Sequence, residues 1–484
     1  MEHQSAVLPA SYGWILLAIL SLIWIALGLH WGRRARSMEG FMLAGRNVGL
    51  ALGAATAMAT WVTSNTTMLA PQFAYELGIW GMIAYSTAAF GLLLFAPLAK
   101  RIRALMPKGF TSGDFIRLRY GKNTWYLFLA ISIFYGFTWL ISMGMAGGIL
   151  LNALSGIPYE VGMSVILFVC VVYTLFGGLY AVIGTDFIQS LIILVGIVIV
   201  GVGVLSYVDF DTSYTHLVEE RPMLINVMLP AAIMAIFNNL LFGIGEIFHS
   251  NVWWSRAFAM RKGVGKRAYA LAGFFWLPVP IAAGFIALTS GALGINVTSP
   301  DMVGPLVAAN VLGKVGAIVV FLVAFSSLAS SIDSLLAATS DLITEDVYRK
   351  LLNPRASEQT LRRVSAYIVL GLGVIAWLVC LPRIGTLATV LFFAGPMVGA
   401  CIWPIATGLF WKRASAGGAL WGMLLGSVVG LIAYFQLGWY TASLIGAAVS
   451  MLVVLIAAAT SKREFNWTTL DEVHTRVRER VEAT

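Results

Sequence analysis

Apolar residues in this chain come in long blocks, not in the one-sided stripes that cover a soluble core. Thirteen blocks approach the roughly 20 residues a helix needs to cross a ~30 Å hydrocarbon layer. They are Tyr12–Trp31, Leu50–Leu77, Trp80–Leu98, Trp125–Leu151, Tyr159–Leu175, Leu179–Val208, Met223–Phe248, Leu271–Leu293, Val315–Ile343, Val364–Leu381, Leu387–Trp411, Gly417–Phe435 and Trp439–Ala459. The pattern predicts an all-α membrane protein with 13 transmembrane helices. Two blocks carry polar interruptions, Ala55-Thr-Ala-Met-Ala-Thr-Trp-Val-Thr-Ser-Asn-Thr-Thr67 and Phe237-Asn-Asn-Leu-Leu-Phe-Gly-Ile-Gly-Glu246. Helices broken at matching positions of two halves mark transporter binding regions, because freed carbonyls can coordinate a cation and half-helix ends can meet a solute. The separation of the two interruptions leaves room for five spans per half, and an odd repeat unit inverts its second copy. The expected core is therefore an inverted five-plus-five repeat with two broken helices. Residues 1–48 form a peripheral helix and loop, 49–208 and 223–411 the two repeats, and 412–484 two further peripheral helices and a tail.

Composition agrees. Hydrophobic residues make up 59% of the 484 and charged residues 11%, against about 25% charged in a soluble domain. The net charge of +9 is a topology signal and not a nucleic-acid signal. With 13 spans, all but three of the 31 Lys and Arg (Arg221, Lys314 and Arg383) fall on one side. Basic residues favour the cytoplasm, which places the N-terminus outside, the C-terminus inside and the chain in the plasma (inner) membrane. The start, Met1 to Ser11, lacks the basic segment of a signal peptide. Cys170, Cys380 and Cys401 all lie in apolar blocks, where they serve as small hydrophobes and not as a disulfide framework.

Ionisable groups inside a bilayer are costly and mark function by default. Asp186, Glu246 and Asp333 fall well within blocks, with no Lys or Arg expected beside them, so each needs a cation, a proton, water or a hydrogen-bond network. Ser327, Ser330, Ser331 and Ser334 follow i, i+3, i+4, i+7 and share one helical face. Such a row of hydroxyls suits a hard cation, and equally suits close helix packing. No His-Glu-x-x-His, Gly-x-Ser-x-Gly or Walker loop occurs, which argues against an enzyme and against an ATP-driven pump. No organic cofactor, nucleic acid or obligatory protein partner is implied. A transporter-like sensor remains a remote alternative.

Four strings then carry a resemblance. They are Glu39-Gly-Phe-Met-Leu-Ala-Gly-Arg-Asn47, Phe110-Thr-Ser-Gly-Asp-Phe-Ile-Arg-Leu-Arg-Tyr-Gly121, Tyr173-Thr-Leu-Phe-Gly-Gly-Leu-Tyr-Ala-Val-Ile-Gly-Thr-Asp-Phe-Ile-Gln189, and the serine helix running on to Ile343-Thr-Glu-Asp-Val-Tyr348. In this order they resemble the sodium/solute symporter family, which has the leucine-transporter-type fold. The resemblance implies a sodium site formed by the carbonyls of Ala55, Met58 and Ser327 and the hydroxyls of Ser330 and Ser331. It also implies a possible second cation or proton site at Asp186, Ser330, Asp333 and Ser334, where Asp333 departs from the small hydroxyl residue usual in the family. Asn251-Val-Trp-Trp-Ser-Arg-Ala-Phe-Ala-Met260 and Gly273-Phe-Phe-Trp-Leu-Pro-Val-Pro280 are most similar to the active urea transporters, as is Ala59-Thr-Trp61 ahead of Tyr75-Glu-Leu-Gly-Ile-Trp-Gly81. The implied activity is sodium-coupled uptake of a small polar solute, with urea foremost. Proton coupling, or another solute such as proline or a short monocarboxylate, is the alternative. A neutral planar solute wants amide and hydroxyl partners beside aromatic walls. Thr60, Trp61, Asn65, Tyr135, Trp139, Asn238, Asn239 and Glu246 are candidates; His249 reads as a satisfied polar residue near a helix end.

Overall fold

A computed structural model describes residues 7–35 and 37–473. Arg36 and the basic tail beyond residue 473, both used above to orient the chain, lie outside the described residues. The described chain is helical, and a single bridge between Val48 and Met260 is its nearest approach to a strand. In chain order the helices are α1 (Ala10–Gly32), α2 (Met38–Leu43), α3 (Leu50–Trp61), α4 (Ser64–Ser86), α5 (Ala89–Leu105), α6 (Ser112–Tyr120), α7 (Lys122–Ser155), α8 (Tyr159–Tyr207), α9 (Phe210–Glu220) and α10 (Pro230–His249). They continue with α11 (Asn251–Ala259), α12 (Gly265–Trp276), α13 (Pro278–Leu288), α14 (Val303–Leu342), α15 (Glu358–Cys380), α16 (Leu387–Phe392), α17 (Gly395–Ala400), α18 (Ile402–Phe410), α19 (Ala416–Gln436) and α20 (Ala442–Thr460).

Eleven helices among the described residues are long and apolar enough to cross a membrane. Two of them each take in more than one apolar block. α8 runs 49 residues, about 74 Å at 1.5 Å per residue, or more than twice a bilayer core. It bends at Gly178, which sits at φ 51°. A Cβ there would stand 2.5 Å from the Phe41 carbonyl oxygen, so neither the backbone conformation nor the space admits a side chain. The stretch Asn65–Leu105 likewise turns at Gly78, at φ 70° against the Leu224 backbone.

The first interruption is a true break. α3 ends at Trp61 and α4 begins after Thr63. The threonines there hold the new helix start. Thr63 Oγ1 accepts from the Thr66 amide at 3.1 Å, and Thr66 Oγ1 accepts from the Thr63 amide at 3.2 Å. This reciprocal cap satisfies donors that a bilayer leaves without water.

The second interruption falls elsewhere. Phe237–Glu246, expected to be broken, is continuous helix within α10, and the break lies at Ser250, with ψ 131°. The small and polar residues of α10 serve packing. A Cβ on Gly243 would meet Ala88 at 2.6 Å, and one on Gly245 the Val398 oxygen at 2.4 Å. The break turns the chain into α11, whose nine residues are all buried.

Candidate functional site

α3, α8, α11 and α14 meet around Asp186, which is fully buried. Its Oδ1 accepts from the Ser330 hydroxyl at 2.5 Å and its Oδ2 from Thr56 at 2.5 Å and Thr60 at 3.4 Å. The remaining donor corrects the expectation that no basic residue reaches these acids. Arg256, read from the sequence as part of a basic loop, is fully buried and its Nη2 lies 3.2 Å from Asp186 Oδ2. The guanidinium also donates to Thr56 Oγ1 (3.0 Å), Thr60 Oγ1 (2.7 Å), Ser334 Oγ (2.7 Å) and the Val252 carbonyl (3.1 Å). The break at Ser250 puts it there. The signal was present: Arg256 sits among Trp253, Trp254, Ala257 and Phe258, whereas Arg261, Lys262, Lys266 and Arg267 sit among polar and small residues.

This arrangement bears on the expected second site. Asp186, Ser330 and Ser334 are together, but the positive charge at their centre belongs to Arg256. Asp333 is fully buried at the edge of that cluster: one oxygen accepts from Ser334 at 3.3 Å, and the other has no partner. Thr60, assigned from the sequence to the solute, bonds Asp186, Ser334 and Arg256 instead.

One turn along α14, the Ser331 hydroxyl lies 2.9 Å from the Ser327 carbonyl and 3.3 Å from the Thr60 carbonyl. Three oxygens from two helices thus converge beside a carboxylate, a donor set suited to a hard cation. Ala55 and Met58 lie on α3, the helix that supplies the Thr60 carbonyl. The Met58 carbonyl accepts the Val62 amide at 2.8 Å and keeps a second lone pair.

The break at Val62 faces an aromatic chamber. Trp61 meets Trp139 (6.0 Å) and Trp253 (5.4 Å) edge-on and lies 5.8 Å from Trp276. The Trp276 indole donates to the Trp61 carbonyl at 2.6 Å and pins the break. Trp61, Trp139 and Trp276, with Asn65, Tyr85, Tyr135 and Phe242, line a cavity of about 20 Å³, room for roughly one water. The Asn65 amide is tied to Ser142 at 3.1 Å. Asn238 and Asn239 do not line this cavity. Asn238 accepts from the amides of Ser443 and Leu444, and Asn239 donates to the carbonyls of Ala84 and Tyr85. Glu246 lies behind Trp253, whose indole donates to both its oxygens at 3.0 and 2.9 Å.

A model of the sodium:solute symporter family matches residues 41–426. The chain belongs to that family. Among other family transporters, the urea-proton symporter DUR3 of Oryza sativa subsp. japonica is 28% identical over 440 residues, covering 81% of this chain and 60% of the relative. The chain thus spans about three fifths of that longer protein. The osmoregulated proline transporter OpuE of Bacillus subtilis is 25% identical and covers 93% of this chain and 95% of its own. A solved Na+-coupled sialic acid symporter in a substrate-bound outward-open state superposes with TM-score 0.77 at 18% identity, over 94% of this chain and 98% of that one. At that identity the likeness is one of fold. The family is one of membrane transporters.

Proposed function

We propose that this symporter couples inward sodium movement to uptake of a small polar solute, urea by preference, through alternating access. The observation that carries the reading is the convergence of the Ser331 hydroxyl and the Ser327 and Thr60 carbonyls beside Asp186. In this reading sodium binds between α3 and α14, using the carbonyls of Ala55, Met58 and Ser327 and the hydroxyls of Ser330 and Ser331. Arg256 supplies a fixed positive charge where a second ion would sit, so one sodium moves per solute. The solute occupies the chamber of Trp61, Asn65, Tyr135 and Trp139, which must widen to admit it. Ion and solute each hold the break at Val62 in one arrangement, and their affinities are linked reciprocally.

The rest of the reading follows the family. The chain has thirteen spans in an inverted five-plus-five core, with residues 49–208 and 223–411 as the repeats, the N-terminus outside and the C-terminus in the cytoplasm of the plasma membrane. Urea rests on the likeness to the Oryza urea-proton symporter and to the urea active transporter of Saccharomyces cerevisiae, 27% identical over 434 residues. Proline is the second reading, favoured by the near full-length match to OpuE.

Uptake of labelled urea and of labelled proline into proteoliposomes, with and without an inward sodium gradient at fixed pH, tests this. Sodium-driven urea accumulation is expected. Accumulation of proline alone reassigns the solute. Urea uptake driven only by a proton gradient overturns sodium as the ion.

A further inference from the structure

Glu246 is fully buried within α10 and pairs with no cation among the described residues. Arg256, on the adjoining α11, is committed to Asp186. Glu246 has two indole N–H contacts, both from Trp253. An ionised carboxyl so placed is costly in a bilayer, and a protonated one is not.

The groups around it are unusual in the same way. From α7 the Tyr135 hydroxyl lies beside the carboxyl without closing a hydrogen bond in this geometry. From α4 Tyr85 lines the neighbouring cavity, and α11 contributes Trp253. On α10 itself, His249 follows one turn later, its ring edge-on to Tyr135 at 4.9 Å. His249 Nδ1 is 2.7 Å from the Gly245 carbonyl. A carbonyl can only accept, so the proton sits on Nδ1 and Nε2 presents a bare lone pair. That Nε2 is buried without a partner, and so is the Trp61 indole N–H. Tyr135 also lines the solute chamber, so one side chain borders both the chamber and the surroundings of Glu246.

We propose that Glu246 binds and releases a proton in each transport cycle, reached from the solute chamber through the Tyr135 hydroxyl and flanked by the His249 Nε2 lone pair. When the chamber opens outward, a hydronium O–H bond breaks, an O–H bond forms on a Glu246 oxygen, and water leaves. The reverse occurs when the chamber opens inward, and no electrons are transferred. Closure of the chamber then favours the protonated acid, because closing removes the water that would stabilise its anion. The inference rests on the reading of the Trp61 chamber as the solute site.

Two measurements on the full chain in proteoliposomes test it. The first is infrared difference spectroscopy between acid and alkaline buffer, which needs no solute. A carboxylic-acid carbonyl band present in the wild type and missing in Glu246→Gln is expected; identical spectra overturn the proposal. The second is the initial rate of urea uptake at a fixed sodium gradient as external pH is lowered from about 8 to about 6, up to ~tenfold per unit for an obligatory proton. A rising wild-type rate and a flat Glu246→Gln rate that still depends on sodium are expected. A Glu246→Gln profile that tracks the wild type overturns it, as does a changed urea KM with an unchanged pH midpoint, which makes Glu246 a solute contact. If Glu246→Gln is not recovered folded, Tyr135→Phe carries the test: a displaced midpoint supports the relay, and an unmoved one overturns it. Absence of urea uptake by the wild type discards the solute and leaves the infrared result to decide the proton.

Discussion

Replacing Arg256 by Gln removes one member of a fully buried ion pair 3.2 Å apart and leaves Asp186 ionised among the hydroxyls of Thr56, Thr60, Ser330 and Ser334. Breaking such a pair from one side costs roughly 3–5 kcal/mol, mostly from the stranded charge. What remains is a carboxylate in a ring of hydroxyls, a set that accepts a hard cation. The variant is expected to be much less heat-stable than wild type in choline buffer and to recover as sodium is added. Sodium at a hundred times its Kd restores about 2.7 kcal/mol. The pair Asp186→Asn with Arg256→Gln strands no charge, so it should lose less stability than Arg256→Gln alone, a coupling seen directly in a double-mutant cycle. Thermal unfolding of the purified protein across a sodium series reads both. The reasoning fails if sodium stabilises wild type and Arg256→Gln equally and the two substitutions add without coupling.

Ser331→Ala removes the hydroxyl that joins the Ser327 and Thr60 carbonyls, and should raise half-activating sodium by roughly tenfold, about one charge-assisted hydrogen bond, with expression unchanged; sodium activation of uptake checks this. Gly178→Ala forces an L residue to φ 51° against the Phe41 backbone; it should cost more than the ~1–2 kcal/mol of the left-handed conformation alone, read as a lowered Tm. On α6, burial raises the Asp114 carboxyl, but its ion pair with Lys350 and the Phe110 and Thr111 amides outweigh burial and hold it below the ordinary carboxylate range. Its stabilisation is therefore full above about pH 4 and fades as pH falls through the lowered value. Lys350→Met removes that lowering and leaves burial to raise the carboxyl, so its Tm should fall below wild type near neutral pH and the difference should shrink as pH drops below about 4, measured by Tm against pH.

Much of this architecture can be read from the sequence because a bilayer makes its demands locally. Helix length follows from apolar run length, and the break after Trp61 follows from threonines that can cap a helix start where no water can. The second break was not legible. Asn238, Asn239, Gly243 and Gly245 resemble an interruption, yet the asparagines tie α10 to neighbouring backbones and the glycines let α5 and α17 approach. Close packing and unwinding draw on the same residue types, and only the tertiary contacts separate them. Misplacing that break put Arg256 in a loop and left Asp186 seemingly unpaired. The serine row was legible as one face, but which serines meet Asp186 and which meet the α3 carbonyls depends on how α14 crosses two other helices.

The central claim is a single sodium per solute at the Ser327–Ser331 turn, with Arg256 holding the place of a second. Simultaneous flux of radioactive sodium and labelled solute in the same proteoliposomes tests it most directly. A ratio of one sodium per solute in wild type, lost in Ser330→Ala with Ser331→Ala, is the predicted result. A ratio of two, or solute accumulation with no sodium flux, contradicts it.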